Sequence, residues 1–164
     1  MLGCFHKEKA RMIQTIISEA EFMKMRAVDF VTDGDYVFPR LNELMDVGAY
    51  DWYIDDVDMN YFYFRDGKYT GEEFLNTIYE FTKLSFVRIR RYIPGESVTD
   101  IDTYDDFQKS NCDFLILFYD GGFTEFFAKE TELLSKFEDF CRHPAIERVR
   151  FVYDEEGERT DMHF

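Results

Sequence analysis

The most constraining feature of the chain is the stretch Cys112–Lys129, which predicts a β-hairpin at the centre of a sheet. Cys112–Tyr119 is almost continuously apolar, and its aromatic and branched side chains favour a strand. Asp120-Gly121-Gly122 can supply the positive φ of a tight turn, after which Phe123–Ala128 runs back along the first strand. Because the first strand has no polar face, we expect both sides of the hairpin at 112–128 to be covered by other elements.

The rest of the chain predicts a single α+β domain over residues 1–164, with a largely antiparallel sheet and helices packed on it. Residues 1–6 are expected to be loose, and Asp66-Gly67 is expected to be a turn. We expect helices over 8–24, from Pro39 towards Gly48, after the capping pattern at Thr70, over 103–110, and through Leu133 to a stop at Pro144. We expect strands at Arg26–Thr32, Trp52–Asp55, Met59–Arg65, Ser85–Tyr92, around Val149, Phe151 and Tyr153, and at Arg159–His163.

The charge balance narrows the function classes. The 164 residues include 34 acidic and 19 basic side chains, which gives a net charge of −15. A field of this sign repels nucleic acid and anionic membranes and attracts cationic partners, although it is also compatible with solubility alone. No apolar run is long enough to span a membrane. The three cysteines form no CxxC pair or disulfide framework, so a reducing cytoplasm is the expected location.

Enzymatic and metal-binding motifs are sparse. The three histidines have no metal-ligand spacing, and there is no nucleophile elbow or phosphate-binding glycine loop. The carboxylate runs at 55–58 and 154–158 lack the spacing of a calcium-binding loop. We therefore expect no enzyme, no cofactor and no metal. A carboxylate-based enzyme or a small-ligand or metal-binding domain stays open as the alternative, because separation in space is invisible in a sequence.

Two acidic stretches carry the functional prediction. Between Arg40 and Arg65 there are six acidic residues and no basic one, and between Arg91 and Lys109 there are five, again without a basic residue. Unopposed like charges repel one another, and aromatic side chains among them are typical of protein–protein hot spots. The alternative for Trp52 is a place in the core. The predicted partner-binding residues are Asp46, Asp51, Trp52, Asp55, Asp56, Asp58, Asp100, Asp102, Tyr104, Asp105 and Asp106.

The second half of the chain resembles a known but uncharacterised family. The likeness rests on the run 103–107, on Ser110-Asn111-Cys112, on the hairpin with Asp120 and Lys129, and on the tail 153–160. In these features, over roughly residues 100–164, the chain is similar to a family of small acidic proteins from Bacillus-like bacteria. The resemblance implies a bacterial cytosolic domain, to which the helix over 8–24 is an addition. It implies no activity.

The leading hypothesis is an acidic binding protein. It would be an immunity protein that neutralises a cationic bacterial toxin, such as a nuclease, by occluding the active site. Its partner is then a cationic protein, with no nucleic acid and no membrane involved. A carboxylate-based site in a cleft and an adaptor whose charge serves only solubility are the competing hypotheses. The leading one requires that the surplus negative charge be gathered on one exposed side.

Overall fold

The structure, a computed structural model, describes residues 25–32, 34–57, 65–78, 85–120, 122–153 and 162. The strands are β1 (Met25–Val31), β2 (Asp51–Asp55), β3 (Gly67–Tyr69), β4 (Val87–Tyr92), β5 (Phe114–Tyr119), β6 (Phe123–Ala128) and β7 (Glu147–Tyr153). Within these residues the seven strands form one sheet in the order β3–β2–β4–β5–β6–β1–β7. Every neighbouring pair is antiparallel, which confirms the predicted α+β class.

Helical segments connect the strands. They are α1 (Gly34–Val37), α2 (Leu41–Leu44), α3 (Gly71–Ile78), α4 (Tyr104–Lys109) and α5 (Thr131–Cys141), with 3-10 turns at Phe38–Arg40 and Val47–Ala49. The two predicted caps are confirmed. Thr103 and Asp106 form a reciprocal capping box at α4, and Thr70 and Glu73 bond to each other in the same way at α3. Among the described residues, no helix is long and apolar enough to cross a membrane.

The predicted hairpin is confirmed as the centre of the sheet. β5 and β6 pair from Phe114 opposite Ala128 to Tyr119 opposite Phe123, and β5 is the fourth of the seven strands. Asp120 adopts a φ of 52° in the turn. The strand faces alternate, so Phe114 and its neighbours at even positions of β5 enter one core while the odd positions enter another.

Two hydrophobic cores lie on opposite faces of the sheet. The larger core contains Trp52, Phe74 and Phe137, and it is covered by α1, α2, α3 and α5; we call this side the α5 face. The smaller core contains Tyr92, Phe107 and Leu115, and it is covered by α4 and the loop before it; we call this side the α4 face. The central hairpin is therefore buried on both sides, as its lack of a polar face requires.

Several expectations need correction or fall outside the described residues. Gly67 does not end a turn but begins the edge strand β3, paired with Ile54 on β2. In β7 the buried side chain is Val152, and Val149 and Tyr153 are exposed. The reason is that β7 is an edge strand with a register shift against β1, so its predicted apolar face is incompletely covered. Four predictions fall outside the described residues: the loose segment 1–6, the helix over 8–24, most of the strand Met59–Arg65 and most of the strand Arg159–His163.

Candidate functional site

Strand β4 carries three buried arginines that organise the acidic side of the molecule. Arg88, Arg90 and Arg91 are 8%, 2% and 1% exposed. Arg88 and Arg90 point to the α4 face, and Arg91 points to the α5 face, where its Nη1 lies 3.2 Å from Met45 Sδ. A buried guanidinium is costly unless a carboxylate and hydrogen bonds compensate it, so the partners of these arginines define the local structure.

Asp55 on β2 is the shared partner of Arg88 and Arg90. Arg88 donates from Nε to Asp55 Oδ1 at 2.8 Å and from Nη2 to Oδ2, and Arg90 Nη2 donates to Oδ2 at 2.8 Å. Burial alone would lower the pKa of Arg88, but the hydrogen bonds and charge of Asp55, with the charges of Asp56 and Asp102, raise it above its ordinary value. Arg88 is therefore held as a cation at the centre of a carboxylate cluster.

The same arginine joins the two acidic stretches. Asp56 Oδ2 lies 3.6 Å from Arg88 Nε on one side. On the other side, Arg88 Nη1 donates to the carbonyl of Ile101 at 2.8 Å and to that of Met162 at 3.2 Å, which fixes the loop that carries Asp102. Residues near 55 and residues near 102 are thus brought to one side of the sheet, on the α4 face.

We use the name acidic patch for four exposed carboxylates on the α4 face: Asp56, which follows β2, Asp100 and Asp102, in the loop that Arg88 holds, and Asp105, in the first turn of α4. Asp56 is 39% exposed and adopts a φ of 53°. Asp105 pairs with Lys109 one helical turn away, and both side chains are largely exposed. The stretches are not unopposed, as the sequence suggested, because β4 supplies Arg88 and Arg90 from a different part of the chain.

The other predicted acidic residues have separate places. Asp46 is exposed beside α5, on the opposite face from the acidic patch. Asp51 pairs with Lys68 at 2.8 Å and accepts the backbone N–H of Gly95 at 3.0 Å. These two bonds, that to Lys68 foremost, hold the pKa of the Asp51 carboxyl below its ordinary value. Asp58 lies outside the described residues.

The remaining predicted residues, Asp106, Trp52 and Tyr104, differ in how much of each side chain is used inside the fold. Asp106 serves the capping box, and its bonds to Thr103 lower its pKa. Trp52 is a core residue rather than a surface anchor, because it is fully buried, stacks on Phe74 with ring centroids 4.3 Å apart, and donates to the Val47 carbonyl at 3.0 Å. Tyr104 is half-buried at the start of α4, beneath the guanidinium of Arg26.

A cleft of about 230 Å³ on the α4 face contains polar residues that the sequence analysis missed. Glu125 on β6 and Asp29 on β1 lie directly opposite each other, and Arg150 on β7 is opposite Asp29. One signal was present in the sequence, since Glu125 interrupts an otherwise apolar strand. The grouping itself was not predictable locally, because β1 lies between two strands that are distant from it in sequence.

The chemistry available to the described residues is that of binding and ion pairing. No three His, Cys, Asp or Glu side chains within the described ranges come together as a metal-binding group. Cys112 and Cys141 are buried, and burial raises the pKa of each thiol to about 12. Such thiols are poor nucleophiles at neutral pH, because the thiolate is the reactive form.

Comparison with known proteins places the chain among uncharacterised relatives. No solved structure matches it. It is 26% identical over 77 residues to the uncharacterized protein YncE of Bacillus subtilis strain 168, a match covering 47% of this chain and 50% of that protein. The chain thus spans about half the length of this curated relative. The model of a family described as "protein of unknown function (DUF2691)" matches residues 25–163. The chain therefore belongs to the DUF2691 family, which confirms the expected likeness to uncharacterised bacterial proteins.

Proposed function

We propose that this domain is an immunity protein that binds a cationic toxin of the nuclease type through the acidic patch. The observation that carries the proposal is the position of Arg88. Arg88 interacts with Asp56 from one acidic stretch and with Asp102 from the other, so both lie on the same side of the sheet. Both carboxylates remain exposed. Toxins that cut nucleic acid need a basic substrate groove, to which such a patch is complementary.

Hydrogen bonds within the protein itself fix the loop and the helix start that carry the acidic patch. Arg88 ties the loop at Ile101 to strand β4, and Arg90 Nη1 donates to the Thr99 carbonyl of the same loop. The capping box of Thr103 and Asp106 then fixes the start of α4, where Asp105 projects. A surface that is ordered in advance loses little conformational entropy on binding, which favours tight and fast association.

The proposed mechanism is stoichiometric occlusion. The carboxylates of the patch would occupy positions that substrate phosphates take in the toxin, and the negative field would accelerate encounter. Since Trp52 is buried, Tyr104 is the aromatic residue of the predicted set that lies beside the patch. Its ring would contribute contact area that slows dissociation.

The test uses a purified cationic toxin domain of the nuclease type as the candidate partner. The association rate constant is measured against salt concentration for the unaltered protein and for the double variant Asp56→Asn/Asp102→Asn. Electrostatic steering predicts a rate that falls steeply with salt, and a decrease of about tenfold for the double variant at low salt. Asp46→Asn is the matched control, because Asp46 is an exposed carboxylate on the opposite face.

Two outcomes would contradict the proposal. A rate that does not change with salt would exclude electrostatic steering, and an equal decrease in the Asp46→Asn control would exclude the acidic patch as its location. A genomic neighbourhood that encodes only metabolic enzymes would favour the competing small-ligand hypothesis instead.

A further inference from the structure

Strand β7 lies at one end of the sheet and has an open edge. Among the described residues its one neighbouring strand is β1, so the backbone groups along its other side have no strand partner there. An edge of this kind is a template on which a further strand can pair. By residue 162 the chain has moved away from this edge, because the Met162 N–H donates to the Asp102 carbonyl at 2.9 Å and the side chain is buried in the smaller core.

Apolar side chains at alternate positions of β7 form what we call the apolar strip: Val149, Phe151 and Tyr153. The strip lies on the α5 face, since Phe151 is opposite Val28 and Tyr153 is opposite Met25, both of which belong to the larger core. Val149 and Tyr153 are 37% and 36% exposed, and they are two of the four large hydrophobic side chains that are exposed in the described part of the chain. A strand paired with β7 would cover them.

The spacing of the apolar strip makes it complementary to itself. Val149 and Tyr153 are each two residues from Phe151, so a two-fold axis through Phe151 places Val149 of one copy opposite Tyr153 of the second copy in an antiparallel pair. An axis perpendicular to the sheet keeps the α5 faces of both copies on the same side. The two strips then form one continuous apolar row, so a second copy of this chain is the occupant that fits β7.

The arginines of β7 disfavour the neighbouring registers. An axis at Arg150 would place this residue opposite its own copy, and an axis at Val149 would place Arg148 opposite Arg150. Like charges directly opposite each other destabilise a sheet. An axis at Val152 would leave Val149 opposite a position beyond the end of β7. The register with Phe151 on the axis covers the whole apolar strip and opposes no arginines.

The backbone of β7 favours the same register. Arg148 has a φ of 53°, and the pairing of β7 with β1 shifts its register near this position. An irregularity of this kind interrupts regular strand pairing. With Phe151 on the axis, the new pairing needs only residues 149–153, which come after the irregularity. The two registers with opposed arginines would run through Arg148.

We propose that two copies of this protein associate through β7, with Phe151 on the two-fold axis, so that their sheets join into one. Strand β4, whose Arg88 holds the loop of the acidic patch, is four strands from β7, or about 19 Å at the usual spacing of strands. The acidic patch therefore stays exposed in the dimer, and both copies present it on the same side. Because the interface is much smaller than a standard one, we expect a dissociation constant of about 100 µM.

Sedimentation equilibrium of the unaltered protein measures the association. Between about 10 µM and 1 mM, we expect the average mass to increase from that of the monomer towards that of the dimer. Each copy has a net charge of −15, so the copies repel one another at long range. Raising the salt from about 0.05 M to 0.5 M screens this repulsion and should tighten the association about threefold. The proposed binding of a cationic toxin responds to salt in the opposite sense.

Two variants locate the interface. Val149→Lys places a charge against Tyr153 of the second copy, and it should weaken the association at least about tenfold. It should change the monomer little, because Val149 is exposed. Ile93→Lys is the matched control, since Ile93 is also an exposed aliphatic side chain but follows β4, and it should associate like the unaltered protein.

A disulfide cross-link tests the register, in a Cys4→Ser background. In Phe151→Cys the new thiol lies opposite its own copy, and directly opposed Cα atoms are about 4.5–5.5 Å apart, within the range of a disulfide. In Val149→Cys the two thiols are offset by four positions, or about 13 Å along the strands. Oxidised glutathione should therefore form a covalent dimer of Phe151→Cys at least about tenfold faster than of Val149→Cys. Thermal unfolding checks that every variant folds, and if Phe151→Cys does not, the comparison of Val149→Lys with Ile93→Lys decides.

The proposal is overturned if the protein stays monomeric up to about 1 mM, the result expected if another segment or another protein covers β7. It is also overturned if salt weakens the association, if Val149→Lys associates as tightly as the unaltered protein, or if Ile93→Lys weakens the association equally. Faster cross-linking of Val149→Cys than of Phe151→Cys would contradict the register. None of these outcomes bears on the toxin-binding proposal, because β7 contributes no residue to the acidic patch.

Discussion

Asp55 and Arg88 lie directly opposite each other on β2 and β4, and the guanidinium donates two hydrogen bonds to the carboxylate. Both side chains are largely buried, and the pair is fork-to-fork, the geometry in which arginine binds a carboxylate most specifically. The pair links the first acidic stretch to the sheet. Through the bond from Arg88 to the Ile101 carbonyl it also links the second stretch.

Removing the charge of Asp55 should destabilise the fold strongly. In Asp55→Asn, Arg88 and Arg90 lose their shared carboxylate while remaining buried, so we expect a loss of about 3 kcal/mol in the free energy of unfolding. Chemical denaturation measures the change. The matched control is Asp56→Asn, since Asp56 is the exposed neighbour and asparagine tolerates its positive φ, and it should change stability by less than about 0.5 kcal/mol. Equal effects of the two variants would contradict the assigned roles.

The parts of the fold that the sequence predicted are those with local signals. The hairpin at 112–128 has its apolar runs and turn residues within a few positions of each other, and the caps at Thr70 and Thr103 each use a partner three residues away. Such signals are readable because all the interacting groups lie within one element.

The parts that the sequence did not predict depend on distant pairings. Arg88 bonds to Asp55, 33 residues away, and Arg91 bonds to Asp113, 22 residues away. Neither the burial of these arginines nor the neutralisation of Asp55 is therefore visible locally in the sequence. The sequence is equally compatible with a core and a surface position for Trp52, because Phe74, on which it stacks, belongs to a different element. The cleft needs β1 between β6 and β7, an order that the chain does not follow in sequence.

Trp52 is the single tryptophan of the chain, and its burial predicts its fluorescence. We expect a blue-shifted emission in the native protein, weak quenching by acrylamide, and a red shift on unfolding. Partner binding at the acidic patch should leave the quenching unchanged. A native emission like that of free indole in water would contradict the stacking on Phe74. Replacement by alanine should cost about 3–5 kcal/mol.

Stability should decrease in acid. The pKa of Asp51 is lowered in the folded state by Lys68 and by the Gly95 N–H, from an ordinary value of 3.8. The unfolded chain therefore binds more protons in this range, so the stabilisation is present above the unfolded pKa and is lost as pH falls through the folded one. In Lys68→Met, the decrease in unfolding free energy between about pH 5 and pH 2 should be smaller by roughly 0.5 kcal/mol. An unchanged pH dependence would contradict the Asp51–Lys68 pair.

The buried thiols should be unreactive in the native state. Burial raises the pKa of both Cys112 and Cys141 to about 12, so almost no thiolate is present at neutral pH. In a Cys4→Ser variant, which leaves these two cysteines, a disulfide reagent should react at the rate of unfolding and rapidly in denaturant. Fast labelling of the folded protein would show that at least one thiol is accessible.

The gathering of negative charge at the acidic patch is measured most directly without any partner, by NMR relaxation with a cationic and an anionic paramagnetic cosolute. At each amide, the ratio of the relaxation enhancement caused by the cationic cosolute to that caused by the anionic one reports the local electrostatic potential. We predict that the cationic probe dominates most strongly at Asp56 and at 100–105, more than at Asp46, and that high salt reduces the difference. A ratio at these residues no larger than at Asp46 would contradict the patch, and with it the proposed binding of a cationic toxin.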